Sequence, residues 1–416
     1  MVIFCIKNNL PQHEIQFLLR TWAKNVGVEV LFAPDSVEGI SVGQTADSRI
    51  QTSGNFSPDY FRHIKLNAQC LVENQDGKPD YLATAFYMLN CIQEFNDPDP
   101  DELGRFRFSN SYQHLYKNAA ENIVQGCFNE ISTICEIPSP TEKTKFFLTH
   151  DIDSVYGAIL EDGFNVIKKG RIDLFLRMLF NIAIQKPDWL NMDKIMSIES
   201  EYDCKSVFYW IVNQGRINKR EVNADYSFHS STIQKNLKAV KESGFENGIH
   251  KSISVDSLSD EIKKFGTLPI GNRYHYLKFH LPEMYHQVES SGIKVDASVG
   301  FAEEMGFRNS YGLPFNPFDF NSMKPFSFVE APLHIMDRTF FQYKKSNPRD
   351  AEKDILNFFE RNKENCVLSI LWHNNFFTDY KFKGYLDLYK KLLSYIKDNN
   401  YKAISQDEII QKYSIV

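Results

Sequence analysis

The stretch Lys145-Phe-Phe-Leu-Thr-His-Asp-Ile-Asp153 decides the fold. Residues 145–149 read as a short apolar strand, and the run then ends abruptly in two carboxylates, Asp151 and Asp153. Two acids this close repel, so a divalent cation, an arginine or a shared proton must offset them. The plain structural alternative is a strand-end turn in which Asp-x-Asp-Ser caps the next segment.

Downstream of this stretch the pattern is regular. Residues 163–184 and 193–202 have helical spacing, and 206–212 is a β-rich run. A helix (231–243), a strand (244–250) and two further helices (257–265 and 281–291) follow. Residues 293–297 and 325–333 read as strands. Helix 350–361, strand 366–372, helix 385–397 and strand 401–405 complete the series. Strands alternating with helices imply parallel β-α units. About seven such units in roughly 270 residues suit a closed or nearly closed barrel.

Upstream the pattern differs. Residues 2–6 and 28–32 read as strands around a helix at 12–24, and residues 38–57 are polar with weak periodicity. Residues 80–95 place Leu82, Phe86, Leu89 and Ile92 on one helical face. Asn96-Asp-Pro-Asp-Pro-Asp101 is a loop by composition. Ile137-Pro-Ser-Pro-Thr141 reads as a linker, because two prolines deny backbone donors. The expected division is an accessory α+β or α/β domain over 1–140 and a catalytic barrel over 141–416.

Composition bounds the function. The 416 residues carry 47 Lys plus Arg against 53 Asp plus Glu, a net charge of −6, which gives no support for a nucleic-acid partner. Hydrophobic residues at 43% and charged residues at 24% are ordinary for a globular chain. The seven cysteines form no C-x-x-C pair and read as reduced thiols. No basic, then apolar leader opens the sequence, and the most apolar run, 174–184, is broken by Arg177 and Asn181. The expectation is a cytoplasmic chain without a transmembrane segment; its oligomeric state is not legible. Aromatics reach 14% and serve core filling before sugar binding.

In a parallel barrel, reactive side chains gather at the C-terminal ends of the strands. That filter selects Thr149-His150-Asp151-Ile152-Asp153, then His250, then Asp296, then His373. Arg273 and His275, in Gly271-Asn-Arg-Tyr-His275, join them. Each alone has an ordinary structural reading: a capping Asp, a hydrogen-bonded His, a surface Arg.

Together, Asp-x-Asp, His, Arg, Asp and Leu371-Trp-His373 in this order resemble the polysaccharide deacetylases, the NodB-homology carbohydrate esterases. The resemblance covers about the C-terminal two thirds. Residues 80–107, with Asp101-Glu-Leu-Gly-Arg-Phe-Arg107, are similar to the companion region of a bacterial subgroup. The resemblance implies a distorted (β/α)7-type barrel and a metal-dependent hydrolase that removes an N-acetyl group from a saccharide, in bacterial surface polysaccharide metabolism. It implies Asp151 as general base, Asp153 and His250 as metal ligands, and Arg273 as the group holding Asp151 ionised. Asp296 would orient His373, the general acid. Ser254 stands four residues after His250, where the family has a second histidine, so His275 is the expected substitute, with His150 a further candidate. Phe301 replaces a tryptophan of the aspartate motif. Arg308, in the loop Gly306-Phe-Arg-Asn-Ser-Tyr-Gly-Leu-Pro-Phe315, and Trp372 are the expected substrate contacts. A carboxylate-plus-imidazole shell with open positions suits zinc among the divalent ions.

Two rivals stand beside this. A carbohydrate-binding barrel would keep the shape and lose turnover, as the missing second histidine suggests. A glycosidase would use two carboxylates, Asp151 with Glu330, about 5 to 9.5 Å apart and without a metal.

Overall fold

Strands and helices alternate through the C-terminal two thirds of the chain, and the pairing order shows what they build. The computed structural model describes all residues except 35–37, 65, 68, 75, 96–98, 140, 185 and 219–220. Among the described residues the strands are β1 (Val2–Ile6), β2 (Val30–Ala33), β3 (Ile40–Gly43), β4 (Ile50–Gln51), β5 (Lys145–Ile152), β6 (Ser206–Trp210), β7 (Glu246–Lys251), β8 (Gly271–Tyr274), β9 (Val295–Asp296), β10 (Phe318–Asp319), β11 (Lys324–Pro325), β12 (Val329–Glu330), β13 (Ile335–Met336), β14 (Val367–Leu371) and β15 (Lys402–Ala403).

The large sheet runs β12-β9-β8-β7-β6-β5-β14-β13, with β15 also on β5, and every pairing in it is parallel. It curls into an open, distorted α/β barrel, as expected. Parallel pairing delivers every strand's C-terminal end to one rim. Alternation then sorts the side chains. Phe147 of β5 joins Val207, Tyr209, Val295 and Val367 in one hydrophobic cluster on the concave side. Phe146 and Leu148 join Phe208, Trp210 and Ile249 in another, beneath the surrounding helices. The concave face is crowded enough to demand glycine: a Cβ on Gly248 would lie 2.4 Å from the Tyr209 ring.

The N-terminal strands form a separate parallel sheet, β2-β1-β3-β4, packed by the helix Gln12–Val26. That helix buries Leu18, Leu19 and Trp22 and ends at Gly27, whose φ of 72° suits a residue without a Cβ. The cluster holding Phe4, Leu18, Trp22 and Phe86 also contains Phe147, Val207 and Val295. The N-terminal elements therefore close over the apolar floor of the barrel, away from the rim.

Several elements differ from the sequence reading. Residues 163–184 form two helices, Ala158–Lys168 and Ile172–Ala183, broken at Gly170 with φ 71°. The strand expected over 325–333 splits: β11 pairs antiparallel with β10, and β12 pairs with β9. Short strands β8 and β13, and the helix Gln406–Tyr413, escaped the periodicity reading because two to four residues, or a polar helix, give little pattern. Positions 96–98 of the acidic loop and Pro140 of the expected linker lie outside the described residues.

Candidate metal centre and active site

Strand parity builds the site. Thr149 and Asp151 share the concave face of β5 with Phe147, and Asp153 follows just beyond the strand end. Asp151 pairs in register with Tyr209, and Tyr209 with Gly248; His250 is the register partner of Arg273. These residues stand side by side at the rim.

Asp153, His250 and His275 offer ligand atoms that all lie within 4.8 Å of one another. The Nε2 atoms of His250 and His275 stand 3.4 and 3.6 Å from Asp153 Oδ1. That oxygen is buried and makes no hydrogen bond. Gaps of this size are loose for hydrogen bonds. They are close to the edge of a tetrahedron whose centre binds nitrogen and oxygen at about 2 Å. The tautomer also fits: His250 Nδ1 lies 2.9 Å from the Arg273 carbonyl, which as an acceptor fixes the proton there and leaves the Nε2 lone pair facing Asp153. The His275 ring is held by the Tyr276 ring, with centroids 4.0 Å apart and planes 18° off parallel. The donor set therefore fits a divalent cation.

Electrostatics agree with the geometry. Burial works to raise the Asp153 pKa, but the imidazoles of His275, His250 and His373 outweigh it and hold the carboxyl well below its usual range. Burial disfavours the charged form of His250, yet Asp151 and Asp153 outweigh that and raise its pKa. In His275 burial prevails and the pKa is lowered, which favours the neutral imidazole a metal requires.

Beside this trio sits a clamped carboxylate. Arg273 donates from Nη1 to Asp151 Oδ1 at 3.0 Å and to Thr149 Oγ1 at 2.8 Å, and from Nε to the Ala297 carbonyl at 2.8 Å. Its guanidinium lies 4.9 Å from the Tyr209 ring centroid. Arg273 is fully buried, so its fork is rigid. Asp151 Oδ2 lies 3.4 Å from His250 Nε2, at the edge of the ligand trio.

His373 stands across the mouth, its Nε2 3.6 Å from Asp153 Oδ2. Its orientation comes from Asp337, not from Asp296. Asp337 Oδ1 meets His373 Nδ1 at 2.7 Å, and Asp337 Oδ2 accepts from the His373 backbone N–H at 2.6 Å. Asp296 fails as the orienting group because of parity. Its register partners are Asn272 and Glu330, and all three point to the face opposite Arg273 and Ala297. There Asp296 accepts from Asn272 Nδ2 at 2.6 Å and from the Ser298 N–H at 3.0 Å. Burial pushes its pKa up to about 6, and burial with the Asp296 charge raises Glu330 well above the usual range, which favours the neutral acid at Glu330.

Neither expected substrate contact faces this mouth. Arg308 is buried in a two-pronged ion pair with Glu94, at 2.8 and 2.5 Å, and also donates to the Gly300 carbonyl. It joins the N-terminal region to the barrel. Trp372 follows β14 with parity opposite to His373 and packs fully buried against Tyr385 and Tyr389. Glu330, the partner of Asp151 in the two-carboxylate reading, lies with Asp296. His150 points under the helices, where its ring nitrogens meet the Trp372 carbonyl and Glu199. Ser254 joins a polar network with Ser252, Asn213 and Glu261 and does not approach His250.

Two residues at the mouth escaped the sequence reading, and a third, in a segment it singled out, braces the site from behind. Asp337 and Arg338 follow the two-residue strand β13, too short to announce a strand end. Arg338 Nη2 lies 3.7 Å from Asp153 Oδ2, and its side chain is 31% exposed. Arg105, from Asp101-Glu-Leu-Gly-Arg-Phe-Arg107, is paired with Asp101 and donates to the Tyr276 carbonyl at 2.9 Å. It braces a turn in which Tyr276 and Leu277 hold φ of 60° and 53°.

No protein-family model and no curated protein matches the chain. Among solved structures it is similar to a Mycobacterium smegmatis protein assigned as a polysaccharide deacetylase, at 12% identity and TM-score 0.42, over 67% of this chain and 94% of that one. It is also similar to the Bc1960 peptidoglycan N-acetylglucosamine deacetylase, at 12% identity and TM-score 0.36, over 65% and 90%. A third is BA3943, a CE4 family pseudoenzyme from Bacillus anthracis, at 12% identity and TM-score 0.33, over 66% and 68%. These likenesses include an enzyme and a pseudoenzyme, and at such values they carry no conclusion about activity.

Proposed function

We propose that this chain is a metal-dependent amide hydrolase that removes the N-acetyl group of a saccharide. One observation carries the reading: three ligand atoms converge at the rim with an unbonded carboxylate oxygen among them, between a clamped carboxylate and a clasped imidazole. A divalent cation held by Asp153, His250 and His275 would polarise the acyl carbonyl and acidify water.

The chain's own groups supply the proton transfers. Arg273 fixes the Asp151 oxygens by its hydrogen bond, so Asp151 can take a proton from attacking water. Asp337 fixes the His373 tautomer through Nδ1 and stabilises the imidazolium, whose Nε2 proton goes to the departing nitrogen. A C–O bond forms, the C–N bond breaks, and an acetate and an amine leave. The mouth cation Arg338 is placed to meet an anionic group of the saccharide.

Acetate release from tetra-N-acetylchitotetraose by zinc-loaded protein tests this. Acetate formed by the loaded protein and lost after chelation is the expected result. New reducing ends that persist under chelation would establish the glycosidase instead. Zinc binding without either product would establish the binding barrel.

A further inference from the structure

Soluble chains rarely expose large contiguous apolar patches, and one that does has a partner. The helices Ala158–Lys168 and Ile172–Ala183 form such a patch. Phe164, Ile167, Ile172, Leu176, Leu179 and Phe180 are 41–68% exposed. On the second helix four of these fall at i, i+4, i+7 and i+8, a single face, whereas Met178 is its one buried residue. A helix that turns its apolar stripe outward is not packed for the barrel's own core.

The base of the hairpin stands at the mouth. The hairpin starts just after Asp153, at the C-terminal end of β5. Its base is tied to the segment that follows His373. Asp162 accepts from Trp189 Nε1 at 2.9 Å, Thr378 Oγ1 at 3.1 Å and the Lys381 N–H at 3.0 Å. Asn374 donates to the carbonyls of Ser154 and Trp189.

Charge identifies the partner. In a chain of net charge −6, the two helices and their turn hold four cations against three carboxylates, but Asp162 is taken up by the hydrogen bonds above and Asp173 is paired with Arg171. Lys168-Lys169-Gly170-Arg171 is the exposed turn between the helices. An apolar face bordered by lysine and arginine matches the interface of an anionic bilayer. A second copy of the chain suits it poorly, because a two-fold contact would set this cationic surface against itself.

We propose that the hairpin docks the rim of the barrel on an anionic lipid membrane. Among the described residues no helix is long and apolar enough to cross one, so the proposed docking is at the bilayer surface. Docking brings the mouth to the bilayer surface, where it meets acylamino headgroups carried on lipid. That corollary rests on the hydrolase reading, whereas vesicle binding is measured without turnover, so the two fail separately.

Co-sedimentation of the full chain with vesicles tests docking. The chain should bind 1:1 phosphatidylglycerol/phosphatidylcholine vesicles at low salt at least about tenfold more tightly than pure phosphatidylcholine vesicles. Leu176→Ser with Phe180→Ser, both exposed, should abolish binding while tetra-N-acetylchitotetraose turnover is kept. Lys168→Gln with Lys169→Gln should weaken it roughly fivefold per cation removed. Equal sedimentation with both vesicle types, or binding that survives all four substitutions, would overturn docking. So would a stable dimer, seen by light scattering, that the double serine variant dissociates.

Discussion

The barrel carries two pairs of acids a few strands apart, and they resolve their repulsion in opposite ways. Asp151 and Asp153 lie at the mouth, beside Arg273, Arg338 and three imidazoles. Asp296 and Glu330 lie on the opposite face of neighbouring strands, where burial dominates and Asn272 and backbone amides are their partners. The first pair is offset by cations; in the second, burial favours the neutral form of Glu330. A carboxylate's fate is thus set by which face of the strand it occupies, and one residue of register separates a reactive group from a structural one.

The sharpest way to break this contrast is to neutralise each pair with an isosteric amide. Asp151→Asn should lower acetate release by about 10²–10⁴-fold without a change in folding, and His373→Ala should do the same, since each removes a proton-transfer group. Full activity in either would remove it from the mechanism. Asp337→Asn should cost roughly 10–100-fold, the range typical of partners that orient an active imidazole. Asp296→Asn should leave His373's pH profile unmoved; a shifted profile would return Asp296 to the orienting role. Glu330→Gln mimics the protonated acid, so its stability at pH 7 should stay within about 1 kcal/mol of the wild type. A much larger loss in denaturant melts would mean that Glu330 is ionised.

The smallest effect concerns another buried group. His334 accepts from the Ser369 N–H at 3.0 Å, and burial pushes its pKa down to about 3. The unfolded chain takes up this proton below about pH 6.5, so stability is full above that pH and falls as pH drops towards 3. The slope is about 1.4 kcal/mol per pH unit from this group alone. Melts of the wild type and His334→Gln at pH 7 and pH 5 should differ by that slope. Parallel curves would show that the imidazole is protonated in the fold.

Much of the architecture was legible because β5, β6 and β14 are apolar runs with helices between them. The acidic pair, His250, Arg273, His275 and His373 were legible because parallel strands send residues that follow an apolar run to one rim. Asp296 misled because the strand-end rule ignores parity, and β9 is only two residues long. Asp337 stayed hidden behind β13, which pairs with β14 through Ile335 and Met336 alone. Arg308 read as a groove residue because its partner, Glu94, lies more than two hundred residues away in the N-terminal region. Trp372 alternates with His373, so the motif that delivers the imidazole inward sends the indole into the helices.

Zinc titration of chelator-treated protein by calorimetry, wild type against Asp153→Asn and His275→Ala, probes the converging ligands most directly. One zinc per wild-type chain, with affinity lost in Asp153→Asn and reduced at least about tenfold in His275→Ala, is expected. Wild-type protein that takes up no zinc, or variants that bind it as tightly as the wild type, would contradict a metal centre at this rim.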